Sequence, residues 1–177
     1  MKKIKNELAY RLINHGPLLV VSASYEKKET FTPIAWNMPV EHTPPLIAIT
    51  VSKENFINKL IKKSREFSLN ILDACFIPQI IKFGSVSGAD KDKIKESKLS
   101  TKKCAKIKCR YIKESTAVIE CILKKIINIG DVDIFIGEAV FCRASDAFSA
   151  GVWDIKKIRT VHHLGGGKFS TDAEIKP

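Results

Sequence analysis

AVIECILKKIINIGDVDIFIGEAVFCRA, residues 117–144, decides the fold. Two runs rich in β-branched residues, 117–130 and 133–144, meet at Gly130-Asp131, a turn dipeptide. Their alternation predicts a long, twisted antiparallel hairpin with one face in the core. Other short apolar runs gather around it. PLLVVSASY (17–25) reads as a buried strand. FTPIAW (31–36) is its return after a turn at Lys27, Lys28 and Glu29. Pro44-Pro45 sets an extended entry into LIAITVS (46–52), and EFSLNIL (66–72) alternates as a further strand.

Helices are fewer and peripheral. Ile4, Leu8 and Leu12 recur at helical spacing, so residues 3–14 are expected to form an amphipathic helix ended by Gly16-Pro17. Ser52 stands at an N-cap position before KENFINKLIKKS, where Phe56, Ile57, Leu60 and Ile61 form one apolar face. PQIIKFG (78–84) suits one or two turns, and 92–104 is mixed. No strand–helix–strand repeat, internal repeat or linker appears. The expectation is one mainly β domain over 1–177, a closed or partly closed antiparallel barrel.

The chain carries 30 Lys and Arg against 19 Asp and Glu, a formal charge of +11. That excess attracts anions, although the lysines are scattered rather than gathered on one motif. The five cysteines show no CxxC and no histidine at zinc-ligand spacing, so they read as reduced core thiols of a cytoplasmic protein. Lysines around Cys104 and Cys109 would favour thiolate there. No apolar run approaches a membrane span, and the first residues lack a secretory h-region. No metal set and no catalytic triad is seen.

Three stretches could carry chemistry. TVSKENF (50–56) places a helix start, Ser52 and Lys53 where a phosphate would sit. FGSVSGADKDK (83–93) combines Ser85, Ser87 and Gly88 with Lys91 and Lys93. Its small residues let backbone approach a ligand, and Gly88 permits positive φ. FTPIAWNMP (31–39) ends a strand with Trp36, Asn37 and a proline, a platform for a flat ring unless Trp36 is simply core.

In that order along the chain, these stretches resemble the flavin reductase-like family, which includes flavoredoxin. TPIAWNMPVEHTPPLIAITV, EFSLNIL, the Ser-Gly-x-x-x-Asp-Lys loop from Ser87 to Lys93, FIGEAV and HHLGGGKFS carry the likeness over nearly the whole chain. The resemblance implies an FMN-binding split β-barrel, antiparallel and of Greek-key type. It implies that Ala35, Trp36, Asn37 and Met38 border the isoalloxazine ring, and that Ser52, Lys53 and Asn55 hold the ribityl phosphate. It also implies that Ser85, Val86, Ser87 and Gly88 close on the flavin, followed by Asp92 and Lys93. His163 and Gly165 would lie near the cofactor or a dimer partner. Many relatives have a basic residue and a threonine where this chain has Asn55 and Ile57.

The function so implied is an FMN-dependent oxidoreductase, acting as a homodimer. NADH or NADPH would give hydride to flavin N5, and electrons would pass to free flavin, a metal complex or a redox partner. Two alternatives stand beside it. One is a non-enzymatic FMN electron carrier or flavin reservoir. The other is a basic nucleic-acid-binding barrel, disfavoured because no stripe of aromatics interleaves with lysine.

Overall fold

A computed structural model describes residues 1–173. The last four positions of the expected 1–177 domain lie outside the described residues. The main sheet is built from β1 (Lys2–Ile4), β2 (Leu19–Tyr25), β3 (Lys28–Ile34), β4 (Asn37–His42), β5 (Pro45–Ser52), β6 (Glu66–Ile71), β9 (Ala117–Ile129) and β10 (Val132–Ala144). Between and after them come β7 (Thr101–Lys103), β8 (Arg110–Ile112), β11 (Phe148–Ser149), β12 (Val152–Trp153), β13 (Val161–Gly165) and β14 (Lys168–Thr171). The α-helices are α1 (Phe56–Ser64), α2 (Ile77–Ser85) and α3 (Lys93–Ser97).

The strand order is β3-β2-β6-β9-β10-β5-β4, every pair antiparallel, with β1 added on β10. β3 and β4 stand at opposite ends of that order, yet only Ala35 and Trp36 separate them in the chain. A flat sheet would hold its outer strands about 29 Å apart. The link from Ile34 to Asn37 spans at most about 11 Å. The sheet must therefore roll until its edges meet, which makes a split barrel with its seam at Ala35-Trp36. Thr50 N–H donates to Trp36 O at 2.9 Å and ties the seam to β5.

The 117–144 hairpin forms as its sequence predicts, turning at Gly130 with φ +47°. β10 keeps a strict in–out alternation for most of its length. β9 is buried on both faces from Ala117 to Cys121, because the segment around Cys104–Ile112 covers its outer side. There the fully buried Glu120 accepts from Ala105 and Lys106 N–H at 2.7–2.9 Å and pairs with Arg143 at 2.9 Å. Such a charge is tolerable only with its acceptors filled. Inside the barrel, Phe67, Phe135, Ile47, Ile49, Leu69 and Ile119 are all buried. A second apolar cluster, with Val20, Phe31, Ile80 and Phe83, lies under α2.

Several local expectations fail for physical reasons. Residues 3–14 are not one helix. Lys2–Ile4 pairs with β10, and Asn6–Leu12 is 3-10, because the edge of β10 offers backbone partners that a free helix lacks. Ser52 does not cap α1. β5 runs through Ser52, a turn follows, and Asn55 takes the N-cap position without a side-chain bond. The β2–β3 turn is Glu26-Lys27, with Glu26 at φ +55°, so Lys28 and Glu29 are already strand. β4 is a full strand in a stretch, Asn37–His42, to which the sequence reading assigned no element. Cys104 is not primed as a thiolate: its bond with Cys109 and burial push the thiol up.

Candidate functional site

A largely apolar cavity of about 500 Å³ opens at the barrel seam. Pro33, Ile34, Ala35 and Trp36 form one wall, and Ile80, Ile81, Gly84 and Ser85 of α2 form another. The β13–β14 hairpin closes it with His163, Gly166, Gly167 and Phe169. His163 Nε2 lies 2.8 Å from Gly166 O, so that nitrogen carries the hydrogen, and the ring leans on Phe169 at 5.4 Å. Trp36 is 69% exposed, against the ordinary fate of tryptophan.

Gly84 and Ser85 also line a second, polar cleft of about 370 Å³. Its other walls are Val86, Ser87, Gly88 and Lys93, facing Thr32 and the start of α1 at Glu54, Asn55 and Phe56. The two spaces thus share the end of α2: a broad apolar slot leads into a narrow polar cleft. The Ser87 and Gly88 N–H groups have no partner among the described residues. Ser87 Oγ instead accepts from Ala89 N–H at 3.2 Å, which holds the loop in a turn.

Lys93 is the telling residue of this cleft. It is buried, its Nζ donates to Phe83 O at 2.6 Å, and it has no acidic partner among the described residues. Burial lowers its pKa from 10.5 to about 8. A lone buried ammonium is costly, and an anion in the cleft would offset the cost.

The sequence candidates divide accordingly. Ala35, Trp36 and His163 line the apolar cavity, Ser85 lines both spaces, and Asn55, Val86, Ser87, Gly88 and Lys93 line the cleft. Asn37, Met38, Ser52, Lys53, Asp92 and Gly165 line neither. Asn37 donates to Pro17 O at 2.8 Å and so braces the seam from behind. Lys53 Nζ donates to Gly130 O in the β9–β10 turn, outside the cleft. Asp92 caps α3 through Ile94 and Lys95 N–H. Ile57 is core. Gly88 does not have positive φ; it is glycine because a Cβ there would lie 1.8 Å from Thr30 Oγ1. Sequence reasoning missed Ile80, Ile81 and Phe169, whose apolar character is that of any core residue.

Residues 10–162 match the model of the flavin reductase like domain. The chain belongs to that family. Its relatives include the uncharacterised protein YddH of Escherichia coli K12, 33% identical over 94% of this chain and 92% of its own length. An uncharacterised protein of Aeropyrum pernix is 29% identical over 93% of this chain, which spans only 63% of that relative. Among solved structures, an FMN-binding domain of a flavin reductases-like enzyme from Shewanella baltica OS155 superposes with a TM-score of 0.90. That match covers 99% of this chain and 96% of the other at 23% identity. The split barrel is therefore the family's fold. No helix among the described residues is long and apolar enough to cross a membrane.

Proposed function

We propose that this flavin reductase-like chain binds FMN and is an oxidoreductase that uses NADH or NADPH as hydride donor. The observation that carries the reading is the junction of the two spaces at Gly84-Ser85. A flat tricyclic ring fits the apolar slot beside Trp36, and a phosphate tail fits the cleft where Lys93 lacks an anion. Asn55, at the start of α1, and the Ser87 and Gly88 N–H groups would complete the phosphate contacts with the dipole of α1. Asn55 thereby stands where relatives use a charged side chain, with Lys93 supplying the charge.

Bound flavin supplies the capacity to accept hydride and release electrons. The chain's own residues bind, orient and shield. Pro33, Ile80 and Ile81 exclude water from one side of the slot, and the open side at Trp36 admits a nicotinamide. The acceptor is free flavin, a metal complex or a redox protein. The working form is a homodimer: Met38 and Val40 point outward along β4, apolar residues at a sheet end that a second copy would cover.

Anaerobic mixing of the FMN-loaded protein with NADH or NADPH tests the reading. Rapid bleaching of the visible flavin band by either nucleotide is expected. FMN retention without bleaching by either would leave an electron carrier or reservoir, and failure to bind FMN would end the proposal altogether. Sedimentation equilibrium tests the dimer.

A further inference from the structure

On the other side of the β13–β14 hairpin, His15, His162 and Asp172 come together from three segments of the chain. Each offers one ligand atom, and these atoms lie within 4.8 Å of one another. We infer that this trio is a binding site for a zinc-class divalent metal ion, which clips the terminal hairpin to the segment that precedes β2.

The first support is the donor set. Two imidazoles and a carboxylate suit zinc and its neighbours, at bonds of about 2.0–2.2 Å. Tetrahedral ligands then stand about 3.4 Å apart, so the widest separation must close by up to about 1.4 Å while His162 Nε2 and Asp172 Oδ1, now 2.7 Å apart, open by about 0.7 Å. A cavity of about 510 Å³, lined in part by Tyr10, Arg11, His15, Trp153 and Asp172, leaves room for a water as the remaining ligand.

The second support is the set of contacts that hold the three side chains from behind. His162 Nδ1 lies 3.2 Å from Gly16 O, and its Nε2 lies 2.7 Å from Asp172 Oδ1. Both neighbours only accept. A metal ion on Nε2 would leave Nδ1–H to donate to Gly16 O. That is the outer contact that orients a ligating histidine. Asp172 is likewise held from behind: its Oδ2 accepts from the Thr160 hydroxyl and from Thr160 N–H. Thr160 Oγ1 in turn lies 2.8 Å from His15 Nε2. Orienting contacts thus already surround all three ligands.

The location gives the site its consequence. His162 and His163 are neighbours on β13, one at the trio and one in the apolar cavity. Gly16 leads within two residues to Leu18, which also lines that cavity. A metal here would fix the wall formed by His163, Gly166 and Phe169.

The test uses the full chain, freed of flavin and treated with chelator, titrated with zinc chloride by calorimetry. One saturable equivalent per chain and a higher melting temperature are expected. Asp172→Asn and His15→Gln should each weaken binding at least about tenfold, the scale of lost metal contacts. Their metal-free melting temperatures report whether each variant folds. His42→Gln, at an exposed histidine, and the Cys104→Ser/Cys109→Ser pair should bind as wild type. Cobalt in place of zinc should give visible ligand-field bands without a thiolate charge-transfer band. Absence of stoichiometric binding overturns the inference, as does binding that survives both ligand variants or disappears with the cysteine pair. Because flavin is absent throughout, either result leaves the cofactor reading untouched.

Discussion

Lys93 links the cleft to pH. In the free protein its buried ammonium titrates at about 8, while a phosphate dianion beside it would keep it charged well above that. FMN then binds the protonated form. Between pH 7 and 9 the free protein passes from mostly charged to mostly neutral at this position, so the FMN dissociation constant should rise about tenfold. The phosphate contributes no slope of its own, since its second ionisation lies near pH ~6. Quenching of flavin fluorescence measures the constant at each pH. Riboflavin, which lacks the phosphate, should show no such rise, and Lys93→Met should bind FMN weakly at every pH. Folding responds with the opposite sign. The native state binds fewer protons than the unfolded chain between about 8 and 10.5, so flavin-free protein should gain stability as pH rises through that window. Equal slopes for FMN and riboflavin, or a slope that persists in Lys93→Met, would refute the phosphate site.

Lys53→Glu, at the charge the sequence nominates, should leave FMN affinity within a factor of two, since that side chain bonds Gly130 O outside the cleft. Trp36→Ala should weaken FMN binding roughly fivefold, about 1 kcal/mol of lost stacking, with the melting temperature of flavin-free protein unchanged because the ring is exposed. Gly88→Ala should lower the stability of the flavin-free protein by about 1–3 kcal/mol in urea unfolding, because its Cβ meets Thr30. Asp133 bonds Lys62, Asn58 and Asn128; burial alone would raise its pKa, but these partners hold it down at about 2. It therefore contributes stability above the ordinary value of 3.8 that is lost as pH falls toward 2; acid unfolding of Asp133→Asn should show a shallower loss over that range.

The long hairpin was legible because two long runs rich in β-branched residues meet at the turn dipeptide Gly130-Asp131. The barrel seam was legible only in part: Trp36 was named, but β4 was not, since NMPVEH lacks alternation of clear polarity. Helix starts were displaced because Ser52 has the chemistry of a cap while pairing with Val132 keeps it in strand. Cavity-lining residues are the hardest to read. Ile80 is buried and Ile81 is 49% exposed, yet the two are identical as letters. Lys93 and Lys53 are equally indistinguishable; only packing shows that one enters the cleft and the other leaves it. His15 and Asp172 lie far apart in the chain, and no spacing rule unites them.

The dipeptide seam at Ala35-Trp36 bears on how the chain reaches this shape. β2–β3, β4–β5 and β9–β10 are each neighbours in sequence and can zip early at little entropic cost. The contacts that join them, β6 with β9 and β5 with β10, cross long stretches of chain and both fall on one hairpin. Docking of that hairpin closes the longest loops of the sheet and completes the ring from the side opposite the seam. Only the Ala35-Trp36 side of the cavity is set by local sequence; α2 and the β13–β14 hairpin reach it from distant parts of the chain.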